Sequence, residues 1–195
     1  MRLYGTHTSP FVRRIRILAA ELGEPVDWID TALPEGQERL LEVTPLAKVP
    51  VAVIDGDTVF DSRLISDRLV AARGFGPLRA TVPQDAQLRT VADGALDSAI
   101  NWFYLVRRDG ADPELPYLRK QRVRVDAALA WLAARVKAGR SFHEGGGLGL
   151  TEIAVVTMLD WMRFRDVSPV ASHPILGPLS EAWADRASFA STVPR

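Results

Sequence analysis

Residues 45–60 read PLAKVPVAVIDGDTVF, and this stretch decides what kind of sheet the first half of the chain can form. Val49 is predicted to be extended, because a residue that precedes proline avoids the helical region. An apolar strand over Val51–Ile54 follows, and Asp55-Gly56 then supplies the turn of a β-hairpin that returns over residues 58–60. The sequence therefore predicts two antiparallel strands at this point of the chain.

The segment before the hairpin has the pattern of a βαβ unit, with predicted strands at residues 2–6 and 26–31. The helix between them begins at Ser9-Pro10, which are residues that helices favour at the N-cap and at the first helical position. Gly23 ends that helix, as glycine often does just beyond a helix C-terminus. Because a βαβ unit joins parallel strands, we expect a mixed α/β sheet to which the hairpin adds antiparallel strands. Two further helices are predicted, a short one over residues 35–43 and one that starts at Asp61-Ser62.

The second half of the chain is predicted to be helical. Residues 75–83 are rich in glycine and proline and are predicted to be a linker. Apolar residues then recur at spacings of three, four and seven, which is the pattern of helices with one buried face. The predicted domains are 1–74, which is α/β, and 84–195, which is all-helical. The predicted helices of the second domain lie near 84–108, 115–138 and 150–165, with a fourth after Pro174.

The composition excludes several classes of protein. Lys plus Arg and Asp plus Glu both number 24, and a formal charge of zero does not suit nucleic acid or an anionic membrane as a partner. The absence of cysteine excludes disulfides, thiolate metal sites and a cysteine nucleophile. His7, His143 and His173 lack the spacing of metal ligands, so we expect no metal. No stretch resembles a signal peptide or a membrane span, so a cytoplasmic location is expected.

Four motifs carry a resemblance to a known family: TSPFVRR at 8–14, PLAKVP at 45–50, DS at 61–62, and GLTEIA at 149–154 with LDW at 159–161. In order and spacing, this chain resembles the glutathione transferases over nearly its whole length, and small bacterial members most of all. The resemblance implies a thioredoxin-like domain that binds glutathione, followed by an all-helical domain. It also implies a homodimer in which the glutathione thiolate attacks a small electrophilic molecule held between the domains.

Ser9 is the candidate catalytic residue. Its local sequence predicts only an N-cap ahead of Pro10, whereas the resemblance implies that its hydroxyl also binds the glutathione sulfur; Thr8 and Thr6 are close enough in sequence to take that role instead. The chain has no cysteine, so the nucleophile would be the sulfur of glutathione itself. A free thiol has a pKa of about 8.5, and a hydroxyl donor at a helix N-terminus can lower it by about one or two units.

The resemblance also implies which residues bind the rest of glutathione. The backbone of Val49, next to a cis Pro50, would pair with the cysteinyl unit, and Lys48 would reach the glycyl carboxylate. Asp61 would hold the ammonium and Ser62 the carboxylate of the γ-glutamyl residue, at a helix N-terminus where anions bind readily. From the residues alone, a trans proline at a strand edge, a solvated lysine and an ordinary Asp-Ser helix start stay open as alternatives.

The sequence departs from the family pattern at a few positions. Asp61 stands where the family usually has Glu, and Gly149 and Glu152 stand where it usually has a Ser or Thr N-cap and an Asp. Glycine is a tolerable N-cap, and Glu152 keeps the half of a capping box that reaches back to the N-cap amide. Arg13-Arg14 and Arg107-Arg108 are interpreted as solvated, with the binding of a substrate carboxylate as the alternative.

These observations favour a glutathione transferase. Two alternatives remain, a non-catalytic glutathione-binding or regulatory module of the same fold and a glutathione-dependent peroxidase.

Overall fold

A computed structural model describes residues 1–137, 141–167 and 172–194 of the chain. It contains two compact units, of which the first comprises residues 1–80 together with 185–195 and the second comprises residues 81–184. The first unit is thioredoxin-like and the second is helical, so the predicted fold class is confirmed. The domain bounds 1–74 and 84–195 stay predictions, and residues 185–195 are among those of the first unit.

The first 80 residues contain a mixed sheet in the strand order β2-β1-β3-β4. Strand β1 pairs in parallel with β2 and antiparallel with β3, which in turn pairs antiparallel with β4. These pairings confirm the βαβ unit and the hairpin that the sequence predicts. In chain order the elements are β1 (Arg2–Gly5), α1 (Pro10–Leu22), β2 (Asp27–Asp30), α2 (Pro34–Val43), β3 (Val51–Ile54), β4 (Asp57–Val59) and α3 (Ser62–Arg73).

Helix α1 begins and ends where its sequence indicates. Ser9 is the N-cap, Pro10 is the first helical residue, and Gly23 follows the helix with a left-handed φ of 65° that glycine adopts without steric cost. The helix approaches β1 closely at Gly5, where an added Cβ would lie 2.5 Å from Cγ1 of Val12. The lack of a side chain at Gly5 therefore lets the first turn of α1 lie against the end of β1.

The second unit consists mainly of helices, and two of them differ from the prediction. The helix expected over 84–108 is α-helical only to Trp102 and continues as a π-helical segment, Phe103–Arg108. The helix expected over 115–138 ends at Ala133, because the backbone of Lys137 pairs with that of Ser141 instead of continuing the helix. Residue 138 itself lies outside the described residues. The helices are α4 (Pro83–Trp102), α5 (Pro116–Ala133), α6 (Leu150–Arg165) and α7 (Leu176–Glu181).

Helix α6 is buried along most of its length and is capped as predicted. Gly149 is the N-cap, and Oε2 of Glu152 accepts a hydrogen bond from the Gly149 amide at 3.0 Å. The other carboxylate oxygen, Oε1, accepts from the Ser141 hydroxyl at 2.7 Å and from the Phe142 amide at 3.1 Å. Glutamate at this position thus joins the preceding loop to the helix. None of the helices in the described residues is both long and apolar enough to cross a membrane.

The chain returns to the first unit in its final segment, which contains helix α8 (Ala187–Ala190). Arg186 forms two hydrogen bonds of 2.6 Å to the carboxylate of Glu21 in α1, and Ser188 donates a third. The Arg186 guanidinium lowers the pKa of Glu21 below its usual range, chiefly through these bonds. No local pattern in residues 185–195 predicts these contacts, because they join positions about 165 residues apart.

Candidate functional site

The register of the sheet brings three candidate segments to one edge. Tyr4, near the end of β1, pairs with Val51, the first residue of β3. Val59, the last residue of β4, pairs with Ala52, the second residue of β3. Adjacent strands lie about 5 Å apart. Three segments therefore lie close together at the same edge of the sheet: the loop that holds Ser9, the Lys48–Pro50 segment and the start of α3.

A buried apolar cluster packs against residues within or next to two of these segments. Tyr4, Ile29, Leu40 and Val51 form its core. Val49 packs against the cluster just before Pro50, and Phe60 packs against it just before Asp61. The backbone positions of two predicted glutathione-binding segments are therefore held by one apolar core that also includes β1.

Ser9 is half-buried at the start of α1. Its Oγ accepts a hydrogen bond from the amide of Val12 at 3.3 Å, and its own amide donates to the carbonyl of Thr6 at 3.3 Å. The first bond uses the serine oxygen as an acceptor, so the hydroxyl hydrogen can still be donated to another group. Thr6 and Thr8 are also half-buried, so exposure alone does not separate the three candidates.

The Val49–Pro50 peptide bond is cis, as the resemblance implies. Pro50 is buried and Val49 is partly buried, whereas the side chain of Lys48 is exposed. Ala47, just before them, has a positive φ of 49°, so the chain turns sharply before entering β3. The exposed position of Lys48 is compatible with both a solvated lysine and a ligand of a carboxylate.

Asp61 and Ser62 begin helix α3 and occupy different environments. Asp61 is exposed and is the N-cap, since its Oδ1 accepts from the amides of Arg63 at 2.9 Å and Leu64 at 3.4 Å. Ser62 is buried, with 4% of its surface exposed. Asp61 is thus a helix start as its local sequence indicates, and its carboxylate remains open to solvent. A cis peptide bond joins Phe60 to Asp61.

Sequence reasoning missed a contact beside Ser62. Arg13 and Arg14 are 2% and 5% exposed, so their interpretation as solvated residues is wrong. Arg13 donates to the side chain of Thr192 and to the carbonyl of Phe189, and Nη1 of Arg14 donates to Oγ of Ser62 at 3.3 Å. Both arginines lie on the buried side of α1 because residues distant in sequence cover them, so only tertiary structure reveals their burial.

A cavity of about 350 Å³ lies within the second unit. Trp102 lines it, and the ring of Phe103 is buried and makes an edge contact with Trp161 at 5.7 Å between centroids. The other residues that line the cavity are Ala99, Arg122, Val125, Asp126, Asp166 and Val167. Within residues 1–137, 141–167 and 172–194, no group of three histidine or carboxylate side chains is arranged to hold a metal ion.

The fold and the site define a class: a thioredoxin-like domain with a cis-proline before its third strand and a serine at the start of its first helix, followed by a helical domain. A family model for the N-terminal domain of glutathione S-transferases matches residues 3–77. Residues 3–77 therefore belong to the N-terminal domain family of the glutathione S-transferases, and the whole chain has the glutathione S-transferase fold.

Individual relatives match along the whole chain. An uncharacterized GST-like protein of Escherichia coli K12, YibF, is 29% identical over 100% of this chain and 98% of its own length. A glutathione S-transferase of Methylobacillus flagellatus, solved with glutathione bound, is 27% identical with a TM-score of 0.85, over 100% of this chain and 99% of its own. One of Methylobacterium radiotolerans, solved with glutathione sulfonate, is 28% identical with a TM-score of 0.82, over 99% and 94%.

Proposed function

We propose that this protein is a glutathione transferase that joins the thiolate of glutathione to a small electrophilic molecule. The observation that carries the proposal is the position of Ser9, whose oxygen caps helix α1 while its hydrogen stays available as a donor. A sulfur placed next to this hydroxyl would also lie at the N-terminus of a 13-residue helix, where negative charge is favoured.

The reaction needs an ionised sulfur, and the chain has no cysteine of its own. Each unit by which the pKa of a thiol falls corresponds to about 1.4 kcal/mol in favour of the thiolate. A hydroxyl that donates to the charged form favours that form, so Ser9 would increase the fraction of glutathione that is ionised at neutral pH. The protein would then contribute mainly by stabilising the thiolate and orienting the two reactants.

The remaining glutathione contacts are proposed for the segments that the sheet edge brings together. Val49 offers its backbone next to the cis Pro50, Lys48 offers a cation to the glycyl carboxylate, and Asp61 and Ser62 offer a carboxylate and a hydroxyl to the γ-glutamyl end. The relatives from Methylobacillus flagellatus and Methylobacterium radiotolerans, which bind glutathione and glutathione sulfonate, support this proposal. We also propose that the protein acts in the cytoplasm as a homodimer.

Calorimetry combined with a conjugation assay tests the proposed function. Glutathione is titrated into the protein, and the same preparation is assayed with an activated aryl halide and, separately, with an organic hydroperoxide. We expect heat of binding together with conjugation of the aryl halide. Binding with no turnover of either substrate would instead indicate a glutathione-binding module, and turnover of the hydroperoxide alone would indicate a peroxidase. An absence of binding heat, with no turnover of either substrate, would exclude all three.

A further inference from the structure

The hydrogen bond between Arg14 and Ser62 joins α1 to the first residue of α3. A guanidinium has no acceptor atom, so in this bond Ser62 can only accept. The serine hydroxyl has a single hydrogen, which this bond leaves available for donation to a different group. The Arg14 contact therefore occupies an acceptor position of Ser62 and leaves its hydroxyl able to donate to a ligand.

The first turn of α3 limits which other donors are available there. The amides of Arg63 and Leu64 already donate to the carboxylate of Asp61, and Oγ of Ser66 donates to the carbonyl of Ser62 at 2.7 Å. An anion that reaches this helix end therefore finds two of its backbone donors already engaged. The Ser62 hydroxyl becomes correspondingly more important for binding a carboxylate.

The burial of Arg14 and Ser62 strengthens the electrostatic effect of the Arg14 charge on the Ser62 hydroxyl. Both side chains are about nineteen-twentieths buried, with 5% of Arg14 and 4% of Ser62 exposed. Charge interactions are stronger in this environment than in water, and a hydroxyl that accepts from a cation is polarised into a better donor. The guanidinium also lies over the ring of Phe11, which belongs to α1 like Arg14 itself, 5.4 Å from the ring centroid.

We infer that Arg14 is a positioning residue for glutathione: it fixes the Ser62 hydroxyl as a donor to the γ-glutamyl carboxylate and places positive charge behind that donor. The inference rests on the proposed function, since it assumes that Ser62 binds that end of the ligand. It goes beyond it by assigning the recognition of one ligand group to a residue of α1. A purely structural role for Arg14 would not depend on the presence of the carboxylate.

The test compares glutathione with γ-aminobutyryl-cysteinylglycine, which lacks only the α-carboxylate of the γ-glutamyl residue. Dissociation constants for both ligands are measured by calorimetry with the wild type and with Arg14→Gln. The quantity of interest is the preference for glutathione, the ratio of the two constants. We expect Arg14→Gln to reduce this preference about 10- to 100-fold, the effect of losing a hydrogen-bonded charge, while affinity for the analogue stays nearly constant.

Two matched variants separate positioning from general damage. Arg13→Gln removes the neighbouring buried arginine, which contacts Phe189 and Thr192, and should leave the preference unchanged. Arg14→Lys keeps the positive charge and donor hydrogens but loses the planar guanidinium, and should therefore retain part of the preference that Arg14→Gln loses. If Arg14→Gln does not fold, Arg14→Lys is used in its place and should still show a smaller preference than the wild type.

The outcomes separate the role of Arg14 from the proposed glutathione transferase function. Equal losses of affinity for both ligands, or an unchanged preference in the Arg14 variants, would overturn the inference and leave the proposed function intact. If the wild type binds neither ligand, the proposed function fails and the inference fails with it. If Arg13→Gln loses as much preference as Arg14→Gln, the effect belongs to α1 as a whole and the positioning role is wrong.

Discussion

The hydroxyl oxygen of Ser9 accepts a hydrogen bond from the backbone amide of Val12, 3.3 Å away. This contact makes Ser9 the N-cap of α1, which is the function that its local sequence indicates. The cap uses only an acceptor position of the hydroxyl, so the same side chain can donate its hydrogen to a bound sulfur. A structural role and a catalytic role for Ser9 are therefore compatible, and a substitution should affect both to different degrees.

We predict that Ser9→Ala lowers kcat/KM for conjugation at least about 10-fold at pH 7, because the thiolate loses a donor worth about one pKa unit. The dissociation constant of glutathione should change less than about 3-fold, since the other contacts persist. Loss of the cap should cost about 1 kcal/mol of unfolding free energy. Steady-state kinetics, calorimetry and urea denaturation measure the three effects.

Thr8→Val and Thr6→Val serve as controls for the Ser9 prediction. Each removes a half-buried hydroxyl from the same loop without removing the cap. If Ser9→Ala leaves the rate unchanged while either threonine variant lowers it, the thiol contact belongs to that threonine.

The close approach of α1 to β1 gives a second prediction, about Gly5. A methyl group at Gly5 would lie 2.5 Å and 2.7 Å from the two Cγ atoms of Val12, so Gly5→Ala should lower the unfolding free energy by about 1–3 kcal/mol. Gly94→Ala is the matched control, because Gly94 lies within α4 and an added Cβ meets no atom within 4 Å. It should stabilise the protein by up to about 1 kcal/mol. Equal effects in urea denaturation would contradict the steric explanation.

The sequence predicts the elements best where local signals agree. Ser9-Pro10 and Gly23 mark both ends of α1, and the strand Val51–Ile54 is found with the bounds that its apolar run indicates. The capping box of Glu152 is likewise predictable, because both partners lie within four residues. Such features depend on short-range geometry that a single stretch of sequence contains.

The predictions that the structure contradicts concern contacts between segments that are distant in sequence. Two adjacent arginines are usually solvated, yet Arg13 is covered by Phe189 and Thr192, which lie more than 175 residues further along the chain. Arg14 is buried against Ser62, 48 residues away. Of the candidate site residues, Pro50 has the cis bond that the resemblance implies, and Ser9 and Asp61 begin helices as their local sequences indicate. The roles in binding a ligand stay predictions.

Glu152 should contribute more to stability than an ordinary capping residue. Its buried carboxylate accepts from Ser141, Phe142 and Gly149, so Glu152→Ala would leave three donors without this partner. We expect a loss of about 3–5 kcal/mol of unfolding free energy. Ser141→Ala removes one of these bonds together with the bond that Oγ accepts from the His143 amide at 3.2 Å, and should cost about 1–2 kcal/mol. Comparable losses for the two variants in urea denaturation would show that the carboxylate is not the centre of this network.

The contact between the final segment and α1 should make stability depend on pH. The Arg186 hydrogen bonds lower the pKa of Glu21 in the folded protein, so the pair stabilises the fold at pH values above the unfolded carboxyl pKa of about 4.3. This contribution is lost as the pH falls through the lower, folded-state pKa. The stability difference between wild type and Glu21→Gln should therefore be largest near neutral pH and shrink below about pH 4.

Asp27→Asn is the control for the Glu21 prediction. Asp27 pairs with Arg2 at 2.8 Å, but both side chains are largely exposed, and exposed pairs contribute little. Thermal melts between pH 3 and 7 should show a small effect for this variant throughout. A constant difference between wild type and Glu21→Gln across that range would contradict the account of the pair.

In the proposed mechanism, the protein holds the sulfur of bound glutathione as a thiolate at neutral pH, with Ser9 as the donor. The ultraviolet absorbance of the thiolate, recorded against pH for glutathione bound to the wild type and to Ser9→Ala, measures this ionisation. We expect a midpoint about one to two units below the free-thiol value of about 8.5 for the wild type, and a midpoint close to that value for Ser9→Ala. A wild-type midpoint equal to that of free glutathione would contradict this mechanism.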